Sequence, residues 1–311
     1  MAGRVHILVL NYNGRALLEE CLPSVIASAR SATRPCRVSV IDNDSSDDSV
    51  AWLVRSRPEV GVMRMANRGL VSFNEAVRLV NESVVLLLNN DVKFGAGCVD
   101  HLARAFERHA DCFIAGPLCW TFDGRYEGTL SDLCFRRGLV HTRLNQEGSE
   151  VAADAAKCTA SAGAVLAVSR EKFLALGGFD AMFLPGRYED LDLSFRGWLA
   201  GWKAYFVPEA IAFHKGSATF GACFGGEEVN ALDVRNALLF AWKNLREPRN
   251  VGLHLTFLML RVLHAVATGQ RDFLAGLIDA VRRLPEALQR RAAATPRLRS
   301  ERELFRMLGG E

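Results

Sequence analysis

The chain of 311 residues has eight cysteines but no C-x-x-C pair, so the spacing of a zinc ribbon or a thioredoxin-like centre is missing. No G-x-G-x-x-G follows its first apolar run, and no G-x-x-x-x-G-K occurs anywhere. That counts against a dinucleotide oxidoreductase and a Walker-type NTPase. Charge of one sign is scarce too: 38 basic side chains face 35 acidic ones, for a net +3. Residues 282–311 hold eight Arg against four Glu, which leaves the body at −1. With no basic face on that body, a nucleic-acid partner is excluded. Internal repeats are absent. The N-terminus reaches Asn11-Tyr12-Asn13 after one short apolar run, which reads as a first strand and not as a secretory leader. Several cysteines sit inside apolar runs, where Cys acts as a small hydrophobe, and a reducing cytoplasmic setting is expected.

What is present is an alternation of strand and helix patterns in a sequence that is 50% hydrophobic. Val5–Leu10, Val38–Ile41, Val60–Met63 and Val84–Leu88 read as short strands. Helical spacing appears from Leu17 to Ile26 and from Leu70 to Val80. All-apolar strands such as V-V-L-L-L belong to parallel sheets covered on both faces, and the β-α-β-α-β rhythm predicts a doubly wound α/β sheet with ligands beyond its C-terminal edge. Residues 95–160 give only mixed helix and loop. Strands return at Ala162–Val168, Ala204–Val207 and Ala210–Phe213, with a helix over Glu189–Ala200. After about 226 the pattern is helical. The expected division is a catalytic domain over 1–225 and a helical extension over 226–311.

The apolar stretch Val251–Thr268 is interrupted by His254, Arg261 and His264, which counts against a spanning helix. Leu274, Leu277, Ile278, Val281 and Leu284 form a stripe near Arg282, Arg283, Arg290 and Arg291. Two readings stay open: a helix lying on an anionic membrane surface, or a tail packed on its own domain or on a second copy in a homo-oligomer.

Four segments can carry chemistry. Asp42 ends the second strand, where a carboxylate in a doubly wound fold meets a nucleotide's ribose or base, although D-N-D-S-S-D-D also suits a helix N-cap. Asn89-Asn90-Asp91 follows the most buried strand, and Asp91 can hold a hard divalent cation bridging two phosphates; a turn is the simpler alternative. Tyr188-Glu189-Asp190-Leu191-Asp192 opens a helix, where acids suit the dipole and Asp192 to Arg196 is an i,i+4 pair. One of these acids can also serve as a general base. His214, at a strand end, is either structural or a metal ligand.

In this order the segments resemble the family 2 inverting glycosyltransferases of the GT-A fold, most nearly the rhamnosyltransferase-like enzymes of bacterial cell-surface polysaccharide synthesis. The matches are N-Y-N-G; V-I-D-N-D-S-S-D-D-S; N-R-G-L-V-S-F-N with V-V-L-L-L-N-N-D-V; and G-G-F-D with Y-E-D-L-D-L-S-F-R, G-W, V-P-E-A and F-H-K-G-S-A-T, extended by R-N-x-L and K-N at 235–244. The resemblance implies a GT-A sheet, a nucleotide diphosphate sugar donor, a glycan or lipid-linked acceptor, and Mg²⁺ or Mn²⁺. It implies donor contacts at Tyr12, Asn13, Asp42, Asn67, Asn74, Asn90 and Asp91, metal ligands at Asp91 and His214, and a catalytic base at Asp190 beside Glu189. Departures are Asn89 in place of the first acid of D-x-D, Ser72-Phe73 in the donor loop, and Leu-Pro-Gly-Arg before Tyr188. A catalytically silent nucleotide-sugar-binding protein of the same fold is the competing reading.

Overall fold

The structure, a computed structural model, describes residues 3–145, 157–158, 164–216, 226–293 and 296–309. In chain order the first elements are β1 (Val5–Asn11), α1 (Arg15–Arg30), β2 (Cys36–Asp42), α2 (Ser49–Ser56), β3 (Gly61–Arg64), α3 (Ser72–Leu79) and β4 (Val84–Asn89). β1 pairs in parallel with β2 and with β4, and β2 with β3. The two faces of this sheet separate cleanly. Val84, Leu86 and Leu88 join one core cluster, and Val85 and Leu87 the other, as the two-residue strand period requires. Both faces are therefore covered, which is why β4 needs no polar residue before its end.

The sheet then departs from the pure βα rhythm. β5 (Val92–Phe94) follows, and α4 (Cys98–Arg108), β6 (Cys112–Thr121), β7 (Tyr126–Gly128), β8 (Ser131–Arg136) and β9 (Leu139–Leu144) lie in the region expected as mixed helix and loop. After β10 (Lys157–Cys158) come β11 (Val165–Ser169), α5 (Arg170–Ala175), α6 (Glu189–Leu199) and β12 (Lys203–His214). The strand order is β10-β12-β6-β11-β4-β1-β2-β3, with β11 antiparallel to both neighbours and β12 parallel to β6. Two strands expected at 204–207 and 210–213 are one strand with a register shift between Val207 and Ile211, opposite Pro117. A proline on each strand there, Pro117 and Pro208, explains the bulge, since neither can donate to the ladder.

The remaining helices are α7 (Gly226–Asn244), α8 (Pro248–Thr268), α9 (Arg271–Arg282), α10 (Leu284–Ala292) and α11 (Glu301–Leu308). They are not a loose appendage. Leu238, Leu239, Phe240 and Ala241 of α7 are fully buried in the same core cluster as Leu87 and Phe113.

The tail's arginines are used otherwise than a membrane surface would use them. Arg299 donates to the carbonyls of Trp198 (3.0 Å), Gly201 (2.7 Å) and Trp202 (2.8 Å) at the end of α6. Arg291 donates to Trp242 (3.0 Å) and Leu245 at the end of α7, and Arg290 lies 3.3 Å from Asp180. Helix C-termini present unpaired carbonyls and negative potential, so this positive charge caps the protein's own helices. The expected stripe also divides: Ile278 and Val281 are exposed, whereas Leu274, Leu277 and Leu284 are partly covered. The packed-tail reading is the one that the contacts favour.

Candidate active site

At the C-terminal edge of the sheet, Asn11 and Asp42 stand side by side in register. Asn90 donates its amide to Asn11 Oδ1 (2.9 Å), and Asn11 Nδ2 lies 3.4 Å from Asp42 Oδ1. Asp42, only 3% exposed, also accepts from the Ser45 backbone N–H at 3.2 Å. That bond closes a turn well before α2, whose N-cap is Asp48, so the cap expected at Asp42 does not form, and its carboxylate, with about four acceptor positions, has room for a further partner. A Cβ at Gly14 would sit 2.1 Å from Asn90 Nδ2, so only glycine lets α1 begin against this cluster.

Asn13 adopts a left-handed φ of 46°. Its Oδ1 accepts from the Ser46 (2.7 Å) and Asp47 (3.3 Å) backbone N–H groups, so its side chain clamps the two edge loops together. Tyr12 is 39% exposed on the rim. Asn67 is exposed and accepts from Gly69 N–H in a local turn. Asn74 is placed differently from the expected donor contact. Its amide donates to Phe179 O (2.8 Å) and accepts from Phe179 N–H (2.9 Å), which fixes the G-G-F-D turn.

Asp91 and His214 are brought together by strand pairing, since His214 lies opposite Val92 where β12 meets β5. His214 Nε2 is 3.3 Å from Asp91 Oδ1. That oxygen is buried and has no well-directed hydrogen bond, an arrangement suited to a cation. On its other side, His214 Nδ1 is 2.8 Å from Glu127 Oε1. Glu127 is the residue that sequence reasoning missed; β7 carries it beside His214 because β7 and β12 both pair with β6. A carboxylate on the far nitrogen fixes the orientation and basicity of a metal-binding imidazole. Burial pulls the imidazole's pKa down, but the Asp91 and Glu127 carboxylates outweigh it and raise it to about 9. Among the described residues no group of three or more His, Cys, Asp or Glu side chains is arranged to hold a metal ion. A cation held by Asp91 and His214 would complete its shell from a ligand's oxygens. The matched segment beyond Gly216 lies outside the described residues.

The acids of α6 sit at a strained corner. Arg187 (φ 72°) and Tyr188 (φ 74°) are consecutive non-glycine residues in the left-handed region, at about 1–3 kcal/mol each. The fully buried Asn236 holds them there by donating to the carbonyls of Phe183 (3.0 Å), Gly186 (2.7 Å) and Arg187 (2.9 Å). Asp192 is buried beneath. It accepts from Lys243 (2.8 Å), Asn244 (2.8 Å) and Arg196 (2.7 Å), so the expected Asp192–Arg196 pair forms and the K-N of α7 completes it. Despite its burial, the Arg196 and Lys243 charges hold Asp192 down at about 2. These roles give R-N and K-N at 235–244 a physical reason.

The other two acids differ. Burial, with Asp190 beside it, pushes Glu189 up to about 8, and its Oε2 is buried without a partner. A carboxyl raised in this way favours its protonated form, which can donate a hydrogen bond. Asp190 lines a cavity of about 520 Å³ between β9, the 187–190 corner and helices α7 to α9. Tyr12, Asp42, Asp91 and His214 do not line it. The arrangement thus offers a polar sheet edge for one ligand and a walled cavity, with a carboxylate, for another.

Comparison with known proteins identifies the family and the fold. The model of the family described as glycosyltransferase like family 2 matches residues 2–227. Over 247 residues the chain is 27% identical to the N-acetylglucosaminyl-diphospho-decaprenol L-rhamnosyltransferase of Mycobacterium tuberculosis (strains CDC 1551 / Oshkosh and ATCC 25618 / H37Rv), covering 70% of this chain and 78% of the relative. Among solved structures, Staphylococcus aureus TarS 1–349 with UDP-GlcNAc superposes with a TM-score of 0.58 at 15% identity, over 91% of this chain and 82% of that one. GalNAc-T7 with UDP, GalNAc and Mn²⁺ gives 0.59 at 16% identity over 78% of this chain, which spans about half (48%) of that chain. The mannosyltransferase PcManGT of Pyrobaculum calidifontis, with GDP-Man and Mn²⁺, gives 0.51 at 17% identity over 95% of this chain and 76% of that one. These structural likenesses show the shared GT-A fold.

Proposed function

The chain belongs to glycosyltransferase like family 2, and from that premise we propose that it transfers a sugar from a nucleoside diphosphate sugar to an acceptor hydroxyl with inversion. The observation that carries the proposal is the separation of two chemistries. The buried Asp91 Oδ1 lies 3.3 Å from His214 Nε2 at the sheet edge, and Asp190 faces a cavity of its own. The sugar proposed is rhamnose and the acceptor a glycan or lipid-linked sugar of cell-surface polysaccharide, by likeness to the mycobacterial relative. The setting proposed is the cytoplasm or the inner face of its membrane. The proposed division keeps 1–225 as the catalytic unit and gives 226–311 the acceptor side.

Asp91 and His214 would hold Mg²⁺ or Mn²⁺, whose chemistry is to neutralise charge on the departing diphosphate. Glu127 keeps the His214 ring in place. Tyr12 and Asp42 receive the nucleoside, with Asn13, Asn67 and Asn90 shaping the loops around it, and Asn74 acts through the Phe179 turn. Asp190 takes the proton of the acceptor hydroxyl as that oxygen bonds to the anomeric carbon. The bond from that carbon to the diphosphate oxygen breaks on the opposite face. Glu189, protonated, stays beside it as a donor.

The test is release of nucleoside diphosphate from a panel of nucleoside diphosphate sugars with Mn²⁺ added. Release from at least one donor, abolished by Asp91→Ala, is expected. Binding without turnover for every donor would instead support the silent binding protein, consistent with Asn89 standing where an acid is usual.

A further inference from the structure

The amino-terminal edge of the sheet, at the opposite end from the candidate active site, holds a second polar cluster on an otherwise apolar face. Leu8, Ile41 and Leu87 of that face are core residues. His6 of β1 and Ser39 of β2 lie on the same side of neighbouring parallel strands. Glu82 comes from the segment between α3 and β4. The three side chains form one run of hydrogen bonds. Ser39 Oγ lies 2.9 Å from His6 Nε2, and His6 Nδ1 lies 3.1 Å from Glu82 Oε2. Each is more than nine-tenths buried.

The atoms stand in the order of a nucleophile, a base and an orienting acid, an arrangement recognised by its geometry and not by its fold. With Glu82 holding Nδ1–H, His6 Nε2 is left to accept the Ser39 proton. Burial raises the Glu82 carboxyl, but the His6 bond and backbone N–H groups outweigh it and keep it below the usual carboxylate range. The cluster is not sealed, because Ser39, His6 and Glu82 all line a cavity of about 750 Å³. Gly61 of β3 is the register partner of Ser39, and a Cβ there would fall 2.6 Å from Ser39 Oγ. Glycine at that position therefore leaves the hydroxyl approachable. β3 ends the sheet, so its outer N–H groups are paired by no further strand. Arg37, two residues before Ser39 on the same face, has its guanidinium 3.8 Å from Glu82. Both are donors for a developing oxyanion. An enclosed space of this size takes a small molecule and not an extended peptide.

We propose that Ser39 is a nucleophile and that this cavity is an esterase site for small carboxylic esters, separate from the site of sugar transfer. Ser39 Oγ bonds to the ester carbonyl carbon as its proton passes to His6 Nε2. The bond from that carbon to the alkoxy oxygen breaks, and the alcohol leaves with the proton from His6. Water then adds to the acyl carbon and gives a proton to His6. The bond to Ser39 breaks, the serine takes that proton back, and the carboxylic acid departs. Asn11, where the donor-side cluster begins, is five residues further along β1, about 16 Å away. None of Asp91, His214 and Asp190 takes part, so the inference goes beyond the transferase reading and does not depend on it.

Labelling the full chain with a fluorophosphonate probe, read by intact mass and peptide mapping, tests this. A single adduct on Ser39 is expected, and none on the heat-denatured chain. Ser39→Ala should abolish labelling. Glu82→Gln should slow both labelling and the hydrolysis of p-nitrophenyl acetate by about 100-fold or more. The mapped adduct on the wild type decides the question even where a variant is too unstable to compare. Absence of an adduct, an adduct on another residue, equal labelling of the denatured chain, or a Glu82→Gln rate equal to that of the wild type overturns the proposal.

Discussion

Replacing Lys243 by Met should unfasten the helix that carries the proposed base. The Lys243 ammonium is only 4% exposed and touches three carboxylate oxygens, one on Asp180 at 2.7 Å and two on Asp192 at 2.8 Å. The carboxyl of Asp192 lies at about 2 against an ordinary 3.8, which by itself corresponds to about 2 kcal/mol shared between Lys243 and Arg196. Removing the cation forfeits part of that and leaves two buried carboxylates short of a partner. Breaking a buried pair from one side costs about 3–5 kcal/mol. In urea the midpoint should fall by roughly 1–2 M with an unchanged slope. The effect has a pH signature. A carboxylate whose folded pKa is lowered contributes stability that is complete above its unfolded value and vanishes as pH falls through the folded one. The gap between wild type and variant should therefore be full at pH 7 and narrow between pH 4 and pH 2. In an Asp192→Asn background the same substitution should cost less, because the two residues share one interaction. A loss below about 1 kcal/mol at pH 7, or a gap that does not narrow with acid, refutes the reasoning.

Three further outcomes are expected. Asp190→Asn should lower turnover by roughly 10²-fold or more while nucleotide affinity stays within about twofold, measured by initial rates and calorimetry; full activity would remove Asp190 from the mechanism. Glu127→Gln should weaken Mn²⁺ binding in the presence of nucleoside diphosphate by about 10–100-fold, read by calorimetry, and unchanged affinity would leave Glu127 a bystander. Glu189 is raised to about 8 in the folded chain, so between its unfolded value and pH 8 only the folded state holds the proton and stability falls as pH rises. Glu189→Gln should consequently stabilise by roughly 2–4 kcal/mol at pH 8 and hardly at all near pH 4, and a pH-independent effect in thermal melts would sink that account.

The parts of the fold that were legible in the sequence are those whose side chains answer to one simple pattern. β1, β2, β3 and β4 lie within a few residues of the apolar runs that mark them, because a strand covered on both faces must be apolar throughout. β6 was not legible, since Gly116-Pro117 interrupts its run and reads as a turn until the bulge opposite is known. The β8–β9 hairpin hides for another reason. Its turn is Arg137-Gly138, with φ of 49° and 78°, and an Arg at the first position masks the usual Asn-Gly signal. Among site residues, the Asp91–His214 contact came from resemblance, and no local pattern distinguished Glu127, a lone acid on a three-residue strand. Arg261, which lines the Asp190 cavity, was visible only as a blemish in an apolar stretch, because the direction in which a helix points each residue depends on what it packs against. The tail's charge left two counterparts open in the sequence: carbonyl ends of neighbouring helices attract arginine as a lipid surface does, and only the tertiary contacts of Arg291 and Arg299 separate them.

The placement of Asn236 has a consequence for how such enzymes diversify. One helix beyond the matched domain both clamps the corner bearing Asp190 and, with Asp233, Val234, Ala237 and Leu238, forms a wall of its cavity. Donor-side residues owe nothing to that wall. Exchange of the C-terminal helices between relatives would therefore re-tailor the accepting partner while the nucleotide end is inherited intact, provided the asparagine that props the corner travels with them. A chimera that omits it would lose the corner along with the old specificity.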